Sequence, residues 1–344
     1  MALDREEEMI SVTILATVRN VRTTVEPWLN SLLDQTYKEP YEIVIIDSNS
    51  TDGTQDVLKI YSKKYDQIRV VERESTQPEA LNFAIRENLV KSDLVALIDG
   101  DCVAPKDWLH TLVRTLKQNN YDAVGGPGLT PKGANFIQKL IGLDLDTRFL
   151  STPEGFVYRH PNMNLLIKKH ILKQIPFSEE LHVGYDTDFG YRLKQNGYRI
   201  YFKPSAYVWH HHRSSIKGYL RQQIKTGRFA FKMYLMNKNG LKGDNINPPT
   251  MILQPIALCV LSVSAVAYLL TNVVLYAIVG ILPLFLLFCA EAYRSFAVGK
   301  NPLAVLLILL YIVRLPMWVF GAALGVINDG IARFRGVLRT QNYI

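Results

Sequence analysis

Short apolar runs alternate with amphipathic stretches over the first part of the chain. Four apolar runs predict β-strands, at residues 11–17, 41–47, 68–71 and 94–98. Between them, apolar residues recur at helical spacing in residues 24–35, after Thr54, and in residues 78–90. Because strands that alternate with helices build parallel sheets covered on both faces, this pattern predicts an α/β domain with a mostly parallel sheet.

The pattern is less regular after residue 100 and ends in a basic amphipathic segment. It predicts helices at residues 106–118 and 135–150 and a strand at residues 164–168. A helix that starts near Phe189, at residues 189–197, and short strands at residues 198–202 and 206–209 follow. Residues 216–236 then form a predicted helix with lysines and arginines against aromatic and aliphatic residues. A helix of this kind is expected to lie along a membrane surface.

The C-terminal part of the chain is predicted to enter a membrane. Residues 249–290 contain no Asp, Glu, Lys, Arg or His, a length about twice the roughly 20 residues that cross a bilayer. Two spans are predicted there, at residues 251–270 and 273–290. A third span is predicted at residues 302–327, where Arg314 would turn to a partner or to the membrane interface. A buried amphipathic pair of helices is the alternative for this last segment.

These patterns divide the chain into four parts: an α/β domain at residues 1–213, an amphipathic helix and connector at 214–248, transmembrane helices at 249–330 and a basic tail at 331–344. The acidic and polar start of the chain does not resemble a signal peptide, so we expect the α/β domain in the cytoplasm of a multi-pass membrane protein. Three spans would place the basic tail outside, against the positive-inside tendency.

Charge and cysteine usage narrow the class of protein. The formal net charge is +8, but the basic residues are not interleaved with aromatic residues in a nucleic-acid-binding module. Many of them precede the first apolar segment, where anionic lipid headgroups attract cations. Membrane lipid and phosphate groups are therefore the expected partners, and nucleic acid is not. The three cysteines show neither a disulfide framework nor zinc-site spacing.

Two carboxylates separated by one glycine directly follow the predicted strand at residues 94–98. Asp99 and Asp101 would stand at the carboxyl edge of the sheet, where α/β folds bind ligands. Carboxylate oxygens suit Mg²⁺ or Mn²⁺, and a bound cation and ribose would offset the cost of acidic residues at this edge. An Asp-Gly-Asp turn without a ligand is the alternative.

Four features follow one another along the chain: Asp47 at a strand end before a Ser-Asn-Ser-Thr-Asp-Gly-Thr loop, the Asp99-Gly100-Asp101 pair, Tyr185-Asp186-Thr187-Asp188, and a basic helix before apolar segments. This order resembles the inverting family-2 glycosyltransferases of the GT-A fold, over about residues 10–240. Membrane-anchored members with a reduced cellulose-synthase-like architecture, such as archaeal mannosyltransferases of lipid-linked glycan assembly, look most similar. The resemblance implies a GT-A (Rossmann-like) domain followed by an interfacial helix and a small transmembrane domain.

The resemblance also assigns the donor nucleotide to the ends of the first strands. It implies that Thr17, Val18 and Arg19 line the nucleotide pocket. Asp47 would accept a hydrogen bond from a ring N–H of the base. Asp99 would contact the ribose or brace the loop.

A divalent cation, Mn²⁺ or Mg²⁺, is implied at the acidic pair. Asp101 would bind the cation that bridges the two phosphates of a sugar nucleotide. A second ligand is expected from His210 or His212, which have the same strand parity at the end of the last strand. Three histidines on a surface near a membrane are the alternative.

Asp186 is the expected catalytic base, because an inverting transfer needs a carboxylate that takes the proton of the acceptor hydroxyl. The alternative for Asp186 is that it caps a helix, a role also open to Asp188 beside a helix that starts near Phe189.

Four further residues are weaker candidates for contacts with the donor. Gln77 and Asn164 lie where related enzymes contact nucleotide and sugar, with packing or turn roles as the alternative. Arg221 and Lys225 would reach donor or lipid phosphates, although a solvated basic helix face would look the same.

Together these observations predict an inverting glycosyltransferase that moves one sugar to a polyprenyl- or dolichyl-phosphate-linked acceptor, with GDP-mannose as the expected donor. Two or three helices cannot enclose a polysaccharide channel, which favours a single transfer over a processive synthase. A non-catalytic membrane protein that binds sugar nucleotides is the other alternative. A nucleotidyltransferase would leave Asp186 and the apolar segments unexplained.

Overall fold

The computed structural model describes residues 12–236, 244 and 246–341. Within these residues the chain forms two compact units. The first unit contains the described residues up to Pro131 together with Pro153–His211. The second contains Lys132–Thr152 and the described residues from His212 onward. A segment in the middle of the predicted α/β domain therefore belongs to the unit that holds the C-terminal helices.

The strands of the first unit are β1 to β11, in chain order Val12–Val18, Tyr41–Asp47, Ile68–Glu72, Leu94–Ile98, Cys102–Val103, Ala123–Gly125, Gly128–Leu129, Gly155–Val157, Asn164–Lys168, Ile200–Phe202 and Val208–His210. Among the described residues, the large sheet has the order β3-β2-β1-β4-β9-β6-β10-β8. Strands β3, β2, β1 and β4 are mutually parallel, whereas β9 and β8 run antiparallel to their neighbours. This arrangement confirms the predicted α/β class and mostly parallel sheet.

The α-helices are α1 to α11, in chain order Val25–Leu33, Thr54–Lys64, Gln77–Arg86, Trp108–Asn119, Phe136–Leu150, Lys169–Gln174, Tyr185–Gln195, Ile216–Met236, Pro249–Thr271, Val274–Gly299 and Leu307–Gln341. A 3₁₀ helix, Pro302–Leu306, precedes α11. Most predicted elements lie within a few residues of these bounds, because their apolar periodicity is strong.

The core of the first unit explains why the acidic pair is presented at an edge. The residues of β4 and the centre of β2 are buried apolar side chains, as expected for strands covered on both faces. The parallel strands β1, β2 and β4 end at the same side of the sheet, after Val18, Asp47 and Ile98. The loops that follow these strands therefore meet at one edge.

Three short strands form a second sheet, in the order β5-β11-β7. Its strand β5 comes directly after Asp101 in the chain. Strand β11 pairs antiparallel with β5, and this pairing sets His210 opposite Cys102. A sequence-distant histidine is thereby fixed beside the acidic pair.

The second unit combines α5, α8, α9, α10 and α11. Three of its helical segments are long and apolar enough to span a membrane: Pro249–Thr271, Val274–Gly299 and Pro302–Asn328. Asn272, in the left-handed conformation, ends α9 before α10 begins. The apolar cluster of this unit draws on all five helices, including Leu140 of α5, Tyr219 of α8 and Leu307 of α11.

One boundary predicted from the sequence is wrong. Helix α7 starts at Tyr185 rather than near Phe189, and its N-cap is Gly184 with φ +80°. Glycine adopts this left-handed conformation at little cost. The loop before α7 can therefore end at Gly184, and the helix includes Asp186 and Asp188, two residues predicted to precede it. Asp188 is consequently inside the helix, where its carboxylate accepts a hydrogen bond from Arg192 at 2.7 Å, and is not its cap.

Candidate active site

Two loops at the carboxyl edge of the sheet are bound to each other. The backbone N–H of Asn20, after β1, donates to Ser50 Oγ at 2.8 Å, and the N–H of Val21 donates to Thr54 Oγ1 at 3.0 Å. In return, the N–H of Thr51 donates to Asn20 Oδ1 at 2.8 Å. Hydroxyl and amide side chains are well suited to such loops because they bond to the backbone. The loop after β1 is thus fixed by the loop after β2.

Asp47 ends β2 and lies fully buried within this structure. Its carboxylate accepts hydrogen bonds from the backbone N–H of Ser50 at 3.1 Å and from Gln55 Nε2 at 2.8 Å. A buried carboxylate needs such donors to remain stable. Asp47 therefore organises the loop that follows β2. Of the other predicted pocket residues, Thr17 is half-buried, Val18 buried and Arg19 exposed.

Asp99 follows β4 and is oriented by Gln77 at the start of α3. Gln77 Nε2 donates to Asp99 Oδ1 at 2.9 Å. Close packing favours glycine at position 100, between the two aspartates, because a Cβ there would lie 2.7 Å from Val18 Cγ1. A side chain at position 100 would push the acidic pair away from the end of β1.

Asp101 forms a small cluster with Cys102 and His210. The ligand atoms of these three side chains lie within 4.8 Å of one another, and His210 Nε2 is 3.5 Å from Asp101 Oδ1. Burial, followed by the charges of Asp101 and Asp99, raises the pKa of the Cys102 thiol. Because a thiol is a soft ligand, the carboxylate and the imidazole are the groups of this cluster that fit Mn²⁺ or Mg²⁺.

Asp186 stands in the first turn of α7. Its Oδ1 accepts a hydrogen bond from the backbone N–H of Thr187 at 2.8 Å. The buried Arg159, between β8 and β9, donates from Nη1 to Thr187 Oγ1 at 3.1 Å. Burial raises the pKa of Asp186, and the positive charge of Arg159 opposes that rise. Arg159 is thus the cation that helps Asp186 remain ionised.

The carboxyls of this edge act on one another electrostatically. Burial and then the charge of Asp101 raise the pKa of Asp99 to about 7, His210 lowers it and Asp186 adds to the rise. Burial also raises the pKa of Tyr185, with Asp99 and Asp186 contributing. Groups with perturbed pKa values that converge from different segments are typical of functional sites.

The remaining predicted site residues fall in both units. Asn164 is fully buried, where its Oδ1 accepts from Trp108 Nε1 at 2.7 Å and its Nδ2 donates to the carbonyl of Ala206 at 2.7 Å. His212 belongs to the second unit, with Nε2 4.0 Å from Asp146 Oδ1. Arg221 and Lys225 are exposed on α8 of the same unit.

Sequence reasoning missed Arg159. No motif surrounds it, and only the packing of α7 reveals its place. A Cβ at Gly190 would lie 2.4 Å from Arg159 Cβ and 2.7 Å from its Cα. The glycine lets α7 approach closely enough for the guanidinium to reach Thr187. A lone glycine within a helical pattern was the available signal.

Comparison with known proteins identifies the family. The family model described as Glycosyl transferase family 2 matches residues 13–192. Glycosyltransferase AglE of Haloferax volcanii is 25% identical over 239 residues, which cover 67% of this chain and 76% of that protein. A Methanococcus voltae protein is 26% identical over 63% of this chain and 71% of its own length. It is named dolichyl N-acetyl-alpha-D-glucosaminyl phosphate 3-beta-D-2,3-diacetamido-2,3-dideoxy-beta-D-glucuronosyltransferase.

A solved structure shows the same fold. Mannosyltransferase PcManGT from Pyrobaculum calidifontis, in complex with GDP-Man and Mn²⁺, matches with a TM-score of 0.57 and 18% identity. The match covers 92% of this chain and 86% of that one. The α/β domain is thus GT-A-like and is followed by C-terminal helices, as the order of the motifs predicted. From these matches and from the acidic edge of the sheet, we conclude that the chain belongs to glycosyl transferase family 2.

Proposed function

We propose that this protein is a membrane-bound, metal-dependent, inverting glycosyltransferase that moves one mannose from GDP-mannose to a polyprenyl- or dolichyl-phosphate-linked acceptor. One observation carries the proposal. Asp101 and His210, from distant parts of the chain, lie together at the edge of the sheet, where the charge of Asp186 contributes to the raised pKa of Asp99. A binding protein without catalysis has no need of a carboxylate such as Asp186 beside the donor carboxylates.

Asp101 and His210 would hold the cation. Bound there, Mn²⁺ or Mg²⁺ would stabilise the negative charge that develops on the departing nucleoside diphosphate. Gln77 keeps Asp99 oriented through its 2.9 Å hydrogen bond, so that Asp99 can face the ribose. Asp47 and the loop it organises would receive the base.

Asp186 would act as the general base. The acceptor hydroxyl oxygen forms a bond to the anomeric carbon while the bond from that carbon to the β-phosphate oxygen breaks. The hydroxyl proton passes to the Asp186 carboxylate, and the nucleoside diphosphate leaves. Arg159, held under the first turn of α7 by its contact with Thr187, favours the ionised form that this step requires.

The sugar and the acceptor are suggested by the relatives. The similar Pyrobaculum structure contains GDP-Man and Mn²⁺, and the Methanococcus relative is named for a dolichyl phosphate sugar. The apolar helices would hold the active site at the membrane, where a lipid-borne acceptor is present at high effective concentration. Such an acceptor is compatible with the proposed role in N-glycan-type protein glycosylation.

The charge distribution supports a cytoplasmic catalytic unit. Lys217, Arg221 and Lys225 precede the first apolar helix, and Arg294 and Lys300 lie at the end of the second. The turn between these two helices carries no charged residue. Cytoplasmic flanks are enriched in Lys and Arg, so both ends of this helical hairpin are proposed to face the cytoplasm.

Donor binding is the first test. The purified protein would be titrated with GDP-mannose, UDP-glucose and UDP-N-acetylglucosamine, with Mn²⁺ or with a chelator, beside Asp101→Ala. We expect GDP-mannose to bind in a Mn²⁺-dependent manner and Asp101→Ala to lose that dependence. Lys106→Ala, which removes an exposed ion pair with Asp34, serves as control. Binding that is equally tight with the chelator would refute the metal site.

The catalytic role of Asp186 is tested by Asp186→Asn, which keeps the shape of the side chain and removes the base. We expect turnover to fall by about 10² to 10⁴-fold with donor affinity little changed, measured by transfer of radiolabelled sugar to a polyprenyl-phosphate-linked saccharide that carries a free hydroxyl. Unchanged turnover would eliminate Asp186 as the base. A ladder of product sizes would instead indicate a processive synthase.

A further inference from the structure

Helices α8 and α11 of the second unit lie side by side and run in the same direction. Trp318 Nε1 donates to Gln223 Oε1 at 2.7 Å, and these residues are 95 positions apart. Farther along, Gly321 lies against the carbonyl of Ile224, and Gly325 lies against that of Arg228, in both cases 97 positions apart. Gly227 in turn lies against Trp318, 91 positions away. The offset therefore stays between 91 and 97 while the contacts advance along both helices, so the helices run in the same direction where they touch.

The two helices are also unusually close. A Cβ at Gly321 would lie 2.1 Å from the Ile224 carbonyl oxygen, and one at Gly227 would lie 2.1 Å from that of Trp318. A Cβ at Gly325 would lie 2.6 Å from the carbonyl oxygen of Arg228. Small residues spaced by four allow helix backbones to approach closely in membranes. The pair therefore behaves as one element, and the depth of one helix in a membrane limits the depth of the other.

The outer faces of this pair differ in character. Exposed side chains of α8 include four cations: Lys217, Arg221, Lys225 and Arg228. Exposed side chains of α11 form an apolar stripe at spacings of three and four residues: Leu309, Ile312, Val313, Val319, Phe320, Val326 and Ile327. Arg314 of α11 is instead buried, where it donates to Asp144 and Gln254. The exposed face of α8 is thus suited to lipid headgroups, and the exposed face of α11 is suited to acyl chains.

An upright α11 is difficult to reconcile with these contacts. Gly325 is 18 residues beyond Leu307, which at 1.5 Å per residue is about 27 Å along the axis and close to the thickness of the hydrocarbon core. The parallel α8 would then carry Arg221 to about the bilayer centre and Arg228 toward the far side. Exposed Lys and Arg are among the costliest residues at such depths.

We propose that α11 does not cross the bilayer, but lies with α8 in the plane of the membrane interface, with the cations of α8 on anionic lipid headgroups and the apolar stripe of α11 in the acyl boundary. Helices α9 and α10 then provide the two crossings. The basic C-terminal residues Arg333, Arg335 and Arg339 fall on the same side as the residues that precede α9. This agrees with the positive-inside tendency that three crossings would violate.

Depth measurements along α11 test the proposal. The background is the full-length protein with Cys102→Ser, Cys259→Ala and Cys289→Ala, reconstituted in vesicles that contain anionic lipid. In this background, Leu309→Cys, Phe320→Cys or Ile327→Cys would each carry an environment-sensitive fluorophore. Quenchers attached at shallow and deep positions of the acyl chain report depth. We expect all three labels to be quenched best by the shallow quencher. The control is Val263→Cys with the same label, because Val263 is exposed near the middle of α9. The deep quencher should affect this label most.

Sidedness gives a second readout that does not depend on activity. In sealed vesicles of known orientation, an impermeant maleimide would label a cysteine appended after Ile344 and, separately, Asn272→Cys in the turn between α9 and α10. We expect the appended cysteine to be labelled from the side that presents Lys217→Cys, and Asn272→Cys from the opposite side. A deepest label at Phe320, or an appended cysteine on the side of Asn272→Cys, would overturn the proposal and establish three crossings.

Discussion

At the scale of single residues, the site depends on how burial is offset by charge. In the proposed mechanism Asp186 acts as an ionised base, whereas its burial raises its pKa and favours the protonated form. Arg159 offsets this because its buried guanidinium lies beside the first turn of α7, 3.1 Å from Thr187 Oγ1. Its effect is therefore expected in the pH dependence of the reaction.

Arg159→Gln should move the pH–rate profile. Loss of the positive charge raises the pKa of Asp186 further, so the limb on which the rate increases with pH should shift to higher pH. Arg159→Lys, which retains the charge, should restore most of the profile. The check is kcat/KM from pH 5 to 9 for both variants. Profiles that differ in height but share one midpoint would indicate a purely structural role.

At the scale of secondary-structure elements, the position of α7 is set by close packing. Gly190 permits the helix to touch the backbone of Tyr158 and Arg159, since a Cβ would lie 3.2 Å from the Tyr158 carbonyl oxygen as well as within 3 Å of Arg159 atoms. Packed interiors transmit such displacements because they contain little free volume. The geometry of Asp186 therefore depends on a residue one helical turn away.

Gly190→Ala should displace α7 and lower kcat by about tenfold or more, because small misplacements of reacting groups are costly. Donor affinity should change much less, since the carboxylates proposed to bind the donor, Asp47, Asp99 and Asp101, lie outside α7. Gly133→Ala is the matched control: a Cβ at Gly133 meets nothing within 4 Å. Both variants would be assayed for kcat, donor binding and thermal unfolding. Equal behaviour of the two variants would contradict this explanation.

At the scale of the whole molecule, the second unit is organised around a buried carboxylate. Asp144 of α5 accepts hydrogen bonds from Arg148, from Arg314 at 3.2 Å and from Tyr311 at 2.9 Å. Arg314 also donates to Gln254 of α9 at 3.0 Å. Three helices thus share one ionic network, and its buried cations depend on Asp144 for compensation.

Asp144→Leu should destabilise the protein by about 3–5 kcal/mol, because it leaves two buried arginines without their shared partner. Arg314→Met should cost less, since Asp144 retains Arg148 and Tyr311. Lys59→Met, which removes an exposed ion pair with Glu72, should change stability by less than about 1 kcal/mol. Thermal unfolding in detergent would rank the three variants. A ranking with Lys59→Met as the most harmful would contradict the importance of the network.

Local sequence patterns determined much of this protein. The bounds of β2, β4, β9 and α8 match the predicted ones because apolar periodicity depends only on neighbouring residues. The acidic pair was predicted at the edge of the sheet because it follows a buried apolar run. The apolar C-terminal helices were predicted because length and composition suffice.

The tertiary structure decided what depends on residues far apart in the chain. Only strand pairing places His210 opposite Cys102, and only close packing at Gly190 brings Arg159 to the first turn of α7. The inclusion of α5 in the second unit rests on the packing of Leu140 and Ile141 in its apolar cluster and on the hydrogen bonds from Arg314 and Tyr311 of α11 to Asp144. Such contacts leave no periodic trace in a sequence, because either partner by itself resembles an ordinary polar residue, and their pairing exists only once the chain has folded.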